Sequence, residues 1–282
     1  MSMTMKNLSD HGFKTDHAVY VIAEAGLNHG GDLDVAKQLI DSAVRSGADA
    51  VKFQTYITAN RAPAGNQALF DIFTQHELPF EAFGELKTHA EEQGIDFFST
   101  PFCTESVDYL QSIDLPLYKL ASFDVTNVPL LKRAATTGKP VILSVGMANL
   151  KEVEQAYEIL TGNGGNPALL HCISAYPTPE TEANLAAVWT LKERFDCVIG
   201  QSDHTPDIQV PLFAVAAGAQ IIEKHYRVDE EMECIDAPVS ITEQQMVAMI
   251  EQIRRLEEMF GSGEVALSDV QKDATLFRRV VS

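Results

Sequence analysis

The 282-residue sequence is short of positive charge: 21 Lys and Arg face 40 Asp and Glu, for a formal charge of −19. Such a surface repels nucleic acid and anionic membranes at long range, which argues against both as partners. It still admits a small anion wherever the few cations converge. Cysteine is scarce as well. Cys103, Cys172, Cys197 and Cys234 lie far apart with no CxxC spacing, which excludes a zinc knuckle and a dithiol redox motif and reads as four reduced thiols. Neither GxGxxG nor GxxxxGK(S/T) occurs, so the glycine turns of dinucleotide and P-loop phosphate sites are missing. No apolar run is long enough to cross a bilayer, and the polar opening MSMTMKNLSDHGFKTDH has no signal-peptide core; the expected location is the cytoplasm. There is no Pro/Ser-rich linker or low-complexity stretch, and with 45% hydrophobic residues the chain reads as one large domain.

What is present is a rhythm. Eight short β-rich runs alternate with helical patterns: VYVIAEAGL from Val19, DAVKFQTY from Asp49, DFFSTPF from Asp96, YKLASFD from Tyr118, PVILSVGMA from Pro140, ALLHCIS from Ala168, CVIGQSDHT from Cys197 and QIIEKHYRV from Gln220. Each begins apolar and closes on polar residues. Gly47, Gly94 and Gly138 follow helical runs directly and read as helix terminators. Eight strands alternating with helices over this length predict an α/β fold, a closed (β/α)8 TIM barrel. The barrel is expected over residues 19–260, with an N-terminal arm at 1–18 and a tail at 261–282. Two long connections, 57–78 and 229–241, are expected to cover the active face.

In this fold the catalytic groups stand at the C-terminal ends of the strands. The first strand ends with Glu24 and the Asn28-His29 turn, the second with Lys52 and Gln54, the third with Ser99 and Thr100. The fourth carries Lys119, Ser122 and Asp124, the fifth Ser144, the sixth His171, Ser174 and Tyr176. The seventh ends with Gln201, Ser202, Asp203 and His204, the eighth with Glu223, Lys224 and His225. Lys52 and Lys119 stand inside apolar strand sequence, where charge is costly without a partner. Two such lysines facing one cavity, with the hydroxyls of Ser99, Thr100, Ser122, Ser144 and Ser202, describe a pocket for a small polyanion bearing phosphate and carboxylate. His204 and His225 end neighbouring strands and can approach one divalent ion; Glu24, beside strand eight once the barrel closes, offers a third ligand. The same spacing also suits two satisfied core histidines, because two imidazoles do not fill a coordination sphere. A site of this kind suits Mn2+, Mg2+ or another divalent ion with open positions, and not a closed zinc site. Asp236, in the DEEMECIDAP run, reads on charge alone as one more solvated carboxylate.

The stretches AEAGLNHGGDLDVAKQLIDSAVRSGADAVKFQTY, FFSTPF, YKLAS, TGKPVILSVGMA, LLHCISAYPTP, GQSDHT, AAGAQIIEKHYRVD and DAPVS resemble, in order and spacing, the catalytic barrel of the sialic acid synthase family. The resemblance implies metal-dependent condensation of phosphoenolpyruvate with a sugar aldehyde, an N-acetylmannosamine-like hexosamine, to a sialic-type acid with release of phosphate. It implies that Lys52, Gln54, Thr100, Lys119, Ser122, Ser144, Ser174 and Ser202 bind phosphoenolpyruvate, and that Asn28, Tyr176 and Asp236 face the sugar. His204 and His225 would hold manganese, and Glu24 and Asp124 are the candidates for proton transfer. It further implies a homodimer. Three features depart from the family pattern. Ala121-Ser122-Phe123-Asp124 stands where GSGE is usual, and Ile173-Ser174-Ala175-Tyr176-Pro177 where TNxYP is usual. The third concerns the C-terminal end: most members continue into a small antifreeze-like domain that supplies an arginine to the partner's sugar site, and this sequence ends at Phe277-Arg278-Arg279-Val280-Val281-Ser282, about where that linker begins. A separate antifreeze-like domain protein is therefore an expected partner. Two other readings stay open: a Schiff-base aldolase acting on a 2-keto acid through Lys52, Lys119 or Lys224, and a non-catalytic barrel that keeps the phosphoenolpyruvate site.

Overall fold

The structure is a computed structural model and describes residues 5–279. Its parallel strands are β1 (Tyr20–Gly26), β2 (Ala50–Thr55), β3 (Asp96–Pro101), β4 (Tyr118–Leu120), β5 (Pro140–Ser144), β6 (Asn166–Cys172), β7 (Val198–Asp203) and β8 (Ile221–Arg227). They lie in sequence order, and β8 pairs back onto β1 from Tyr20 beside Ile221 to Glu24 beside His225. The sheet therefore closes, and the chain is a (β/α)8 barrel whose strands fall on the eight apolar runs of the sequence. A two-residue strand, β9 (Ile241–Thr242), adds to the end of β8 at Tyr226 and Arg227.

The helices are α1 (Leu33–Ser46), α2 (Thr58–Arg61), α3 (Gln67–His76), α4 (Phe80–Gln93), α5 (Thr104–Ser112), α6 (Val128–Ala135), α7 (Leu150–Gly162), α8 (Ala186–Arg194), α9 (Gln209–Ala216) and α10 (Glu243–Phe260). Local chemistry sets their ends. The Asp32 carboxylate accepts the Asp34 and Val35 amides to start α1, and Gly47, at φ 78°, returns its amide to Ala43 and Val44 to stop it. Between these caps Ala36, Leu39, Ile40 and Ala43 recur at helical spacing and are buried against the barrel. Thr242 and Gln245 form a capping box at the start of α10.

Two features differ from the sequence reading. The fourth strand stops at Leu120, because Ser122–Asp124 turns into one loop of 3-10 helix. The long connection after β2 is not open loop: it folds into α2 and α3. At the opposite end of the barrel the N-terminal arm contributes to the core, with Leu8 and Phe13 buried and the Phe13 ring 5.3 Å from that of Tyr20.

Strand β7 passes so close to β8 that a Cβ on Gly200 would overlap the Ile221 carbonyl oxygen, with Leu170 at 2.6 Å on the other side. Backbone and a branched core side chain cannot yield cheaply. Gly200→Ala is expected to lower unfolding free energy by about 2–3 kcal/mol. Urea denaturation checks this, and an unmoved midpoint would mean that the two strands can part without cost.

Candidate active site

The pleat of a closed barrel sends alternate residues inward, and at the C-terminal strand ends the inward set is polar. Pair register puts Glu24 beside Lys52 on one side and His225 on the other, and puts Ser202 beside Glu223. The result is a cavity of about 350 Å3. Its floor is a buried charge cluster. Lys52 Nζ lies 2.9 Å from Glu24 Oε2 and 3.5 Å from Glu223 Oε2, and Lys119 Nζ lies 3.6 Å from Glu223 Oε1. Hydroxyls complete it: Lys52 donates to Thr100 Oγ1 at 3.0 Å, Lys119 to Ser144 Oγ at 2.7 Å, and Ser202 to Glu223 Oε1 at 2.7 Å. Gln54 donates to Glu24 Oε1 at 3.0 Å.

Burial works against both ammonium groups, with different outcomes. For Lys52 the nearby Glu223 and Glu24 outweigh desolvation and hold the pKa above the usual lysine value. For Lys119 desolvation wins over Glu223, and the pKa falls. Glu223 is itself held below the usual carboxylate range: burial would raise it, but Lys119 and Lys52 overcome that.

At the mouth, His204 and His225 stand with ring centroids 5.5 Å apart, and the Tyr176 ring lies 4.0 Å from His204. His204 Nδ1 meets the Ile173 carbonyl at 2.9 Å, which directs Nε2 elsewhere. Burial, reinforced by His225, pulls His204 down to about 3. Asp236 approaches His225 Nδ1 to 3.4 Å. Its loop is tied down by Asn28, whose amide group donates to the Tyr226 carbonyl and Ser240 Oγ while its oxygen accepts the Asp236 amide. Gly26, at φ 55°, makes room for this arrangement, since a Cβ there would sit 2.7 Å from Asp236 Oδ2.

The structure brings most of the sequence-derived set into one cavity: Glu24, Lys52, Gln54, Thr100, Lys119 and Ser122, then Ser144, Tyr176, Ser202, His204, His225 and Asp236. Three members stand outside its lining. Asn28 spends its amide on the loop clamp. Asp124 Oδ1 accepts from Asn127 Nδ2 at 2.8 Å, and burial pushes its pKa up. Ser174 sits behind Gly146, where a Cβ would press on the Ser174 and Ser122 hydroxyls at 2.5 and 2.9 Å. Glu24, paired in register with His225, is engaged by Lys52 and Gln54. Lys224 points away from the cavity into a buried pair with Asp203 at 2.6 Å, which removes it from the lysines able to form an imine there.

Two charged lining groups, Glu223 and Arg61, carry no role in the sequence reading. Glu223 is the shared counter-charge of both lysines, and its signal was its spacing of two from His225, which puts both on the inward face of β8. Arg61, from α2, has no such signal, because a loop residue has no strand parity.

The closed barrel and the charged, hydroxyl-rich cavity at its C-terminal strand ends define the class, a (β/α)8-barrel enzyme. Residues 39–265 match the NeuB family, and the chain belongs to it. It is 44% identical over 261 residues to an uncharacterized protein of Methanocaldococcus jannaschii, covering 92% of this chain and 77% of that one. It is 41% identical over 276 residues to N,N'-diacetyllegionaminic acid synthase of Campylobacter jejuni, covering 92% of this chain and 83% of that protein. Among solved structures, N-acetylneuraminic acid synthetase of Leptospira borgpetersenii superposes with a TM-score of 0.89 at 38% identity, covering 92% of this chain and 91% of that chain.

Glu223→Gln leaves two buried lysines with one carboxylate between them, and is expected to cost about 3 kcal/mol or more of stability. A urea midpoint equal to that of the unsubstituted protein would show that the lysines do not depend on Glu223. The turn after β1 generates a pH effect. Burial, with His76 nearby, lowers His29 from 6.5 to about 4. A base depressed in this way adds nothing above its unfolded pKa; below it the unfolded chain binds a proton that the folded chain refuses, so stability falls as pH drops. Between pH 6.5 and 4 this amounts to about 3 kcal/mol. His29→Gln should remove that share of the acid sensitivity. Unfolding curves at neutral pH and near pH 4 that shift equally in both proteins would contradict it.

Proposed function

We propose that the chain joins phosphoenolpyruvate to the open-chain aldehyde of a hexosamine-derived sugar, forming a nonulosonic acid and inorganic phosphate. The observation that carries this reading is the cavity floor, where two buried ammonium groups converge on Glu223 among hydroxyls, the donor set that a ligand with phosphate and carboxylate ends requires. Family membership supports the reaction class. The names of the similar proteins, a legionaminic acid synthase and an N-acetylneuraminic acid synthetase, attach to different acids, so the acceptor sugar is a separate question.

Lys52 and Lys119 hold the anionic groups at the floor and offset their charge, with Thr100, Ser122, Ser144 and Ser202 as hydroxyl partners. Glu24 and Glu223 are the carboxylates that face these lysines before an anion enters. The enol carbon attacks the aldehyde carbon, water adds to the carbon that bears the phosphate ester oxygen, and phosphate leaves by C–O cleavage. Glu24, held by Lys52 and Gln54, is the cavity carboxylate placed to take the proton of that water. Tyr176 and Asp236 line the mouth, where the sugar enters. His204 and His225 would hold a divalent ion, Mn2+ or Mg2+, which supplies Lewis-acid polarisation of the aldehyde oxygen when bound. The donor set supports this: His204 is oriented by a backbone carbonyl and His225 Nδ1 faces the Asp236 carboxylate at 3.4 Å, the outer partners that metal-binding imidazoles have. Among the described residues no group of three His, Cys, Asp or Glu converges, so water and substrate would fill the other positions.

With phosphoenolpyruvate, Mn2+ and a panel of N-acetylhexosamines, the protein is expected to release phosphate and yield a condensation product detectable by mass spectrometry. Lys119→Met should lower kcat/KM about 100- to 1,000-fold. Absence of phosphate release above background with every aldose would sink the reading, as would borohydride-trapped pyruvate on Lys52 or Lys119.

A further inference from the structure

Arg61 closes α2 in the connection that overhangs the cavity, and its guanidinium sits in a cage of three rings. The group lies 3.7 Å from the centroid of Phe102, 4.4 Å from Phe73 and 4.6 Å from Tyr56. The cage is braced, because the Tyr56 hydroxyl donates to the Phe73 carbonyl at 3.0 Å. Aromatic faces satisfy the faces of a guanidinium, but they leave its edge of N–H donors unspent. Among the described residues those donors make no hydrogen bond or ion pair, and Nη1 is buried without a partner. Arg45, Arg133, Arg194 and Arg254, by contrast, each pair with a carboxylate.

Arg61 lines the same cavity as the lysines, in a wall otherwise made of Leu69, Ile72, Phe73, Phe102, Phe123 and Ile235. Desolvation there pulls its pKa down from 12.5 to about 10, and Asp236 is the carboxylate that most opposes this. Asp236 is already committed to His225 at the mouth. The floor cations, by comparison, are matched by Glu24 and Glu223. A fork of unspent donors in an apolar wall is a site built for a planar or trigonal oxyanion. We infer that Arg61 selects the acceptor: the sugar aldehyde carries an oxyanion, a carboxylate or a phosphate, which docks on the caged guanidinium while phosphoenolpyruvate occupies the floor. The inference rests on the condensation proposed above.

The test compares three acceptors, N-acetylmannosamine, N-acetylmannosamine 6-phosphate and N-acetylmannosaminuronate, in phosphate-release assays with the full chain, phosphoenolpyruvate and Mn2+. One of the two charged sugars is expected to show a KM about tenfold or more below that of the neutral sugar, and which one does so identifies the oxyanion. Arg61→Met should raise the KM for that sugar by about tenfold or more while the KM for phosphoenolpyruvate stays within about twofold, and Arg61→Lys should fall between. Circular dichroism confirms that the variants fold. Equal or better use of the neutral sugar overturns the inference and leaves the condensation standing. A rise confined to the KM of phosphoenolpyruvate also overturns it, by assigning Arg61 to the floor ligand. Should no sugar be turned over, calorimetry on phosphoenolpyruvate-saturated protein decides. Binding of a charged sugar that Arg61→Met abolishes supports the inference while the condensation fails, and no binding of either charged sugar refutes it.

Discussion

Glu223 lies between Lys52 and Lys119 in the dry interior of the barrel, and the active face is organised around that contact. Two ammonium groups within one narrow ring of strands would repel each other and resist desolvation. A single carboxylate reaching both converts the repulsion into a bridged cluster, and Glu24 adds the second negative charge that balances it. The cluster occupies the layer of the barrel where other side chains would pack as apolar core, so its remaining valences have to be met on the spot. The hydroxyls of Thr100, Ser144 and Ser202 meet them. The hydroxyl ring is therefore a requirement of burying the charges as much as an equipment for binding an anion. The same groups can change partners when an anion arrives, because Lys119 is held to Glu223 only at 3.6 Å.

From that floor the structure builds outward through strand parity. On β8, Glu223 and His225 face the cavity while Lys224, between them, turns to the opposite side and is buried with Asp203. One strand thus serves two polar networks, one for chemistry and one that fastens β7 to β8. The mouth depends on loops rather than strands, and loops need ties. Asn28 supplies one: a single side chain joins the turn after β1 to the loop that carries Asp236 with two hydrogen bonds and to β8, at the Tyr226 carbonyl, with a third. Its position beside the site and its bonding away from it make it the residue that holds Asp236 against His225.

The fold was legible from the sequence because eight apolar runs close on polar residues at even spacing, and a barrel must put those polar ends together. The inward groups Lys52, Lys119, Ser144, Ser202, His204 and His225 followed from the same rule. One strand-end carboxylate did not. Asp124 looked like a strand-end carboxylate, but β4 ends at Leu120 and the following turn swings its side chain to Asn127. Glu223 was visible yet unassigned, because a carboxylate two residues before a histidine is informative only once a second strand shows what it faces. Arg61 could not be read at all: its significance lies in three aromatic rings brought together from α3, the end of β3 and the end of β2.

These differences follow a physical division within the cavity. The floor is made of strand residues whose directions are dictated by hydrogen-bonded register, so a change there disturbs neighbours on both sides. The rest of the lining comes from helices and turns that attach to the barrel at their ends, and it can be rebuilt while the floor stays as it is. The ASFD segment illustrates the point. Within three residues Ser122 lines the cavity, Phe123 stands 63% exposed as part of its wall, and Asp124 turns outward and is buried. An aromatic residue at this point adds apolar surface to the cavity that Arg61 also lines and removes the room that a glycine would leave. Ser122, Phe123 and the unpaired guanidinium of Arg61 thus line one cavity, each from a segment outside the strands.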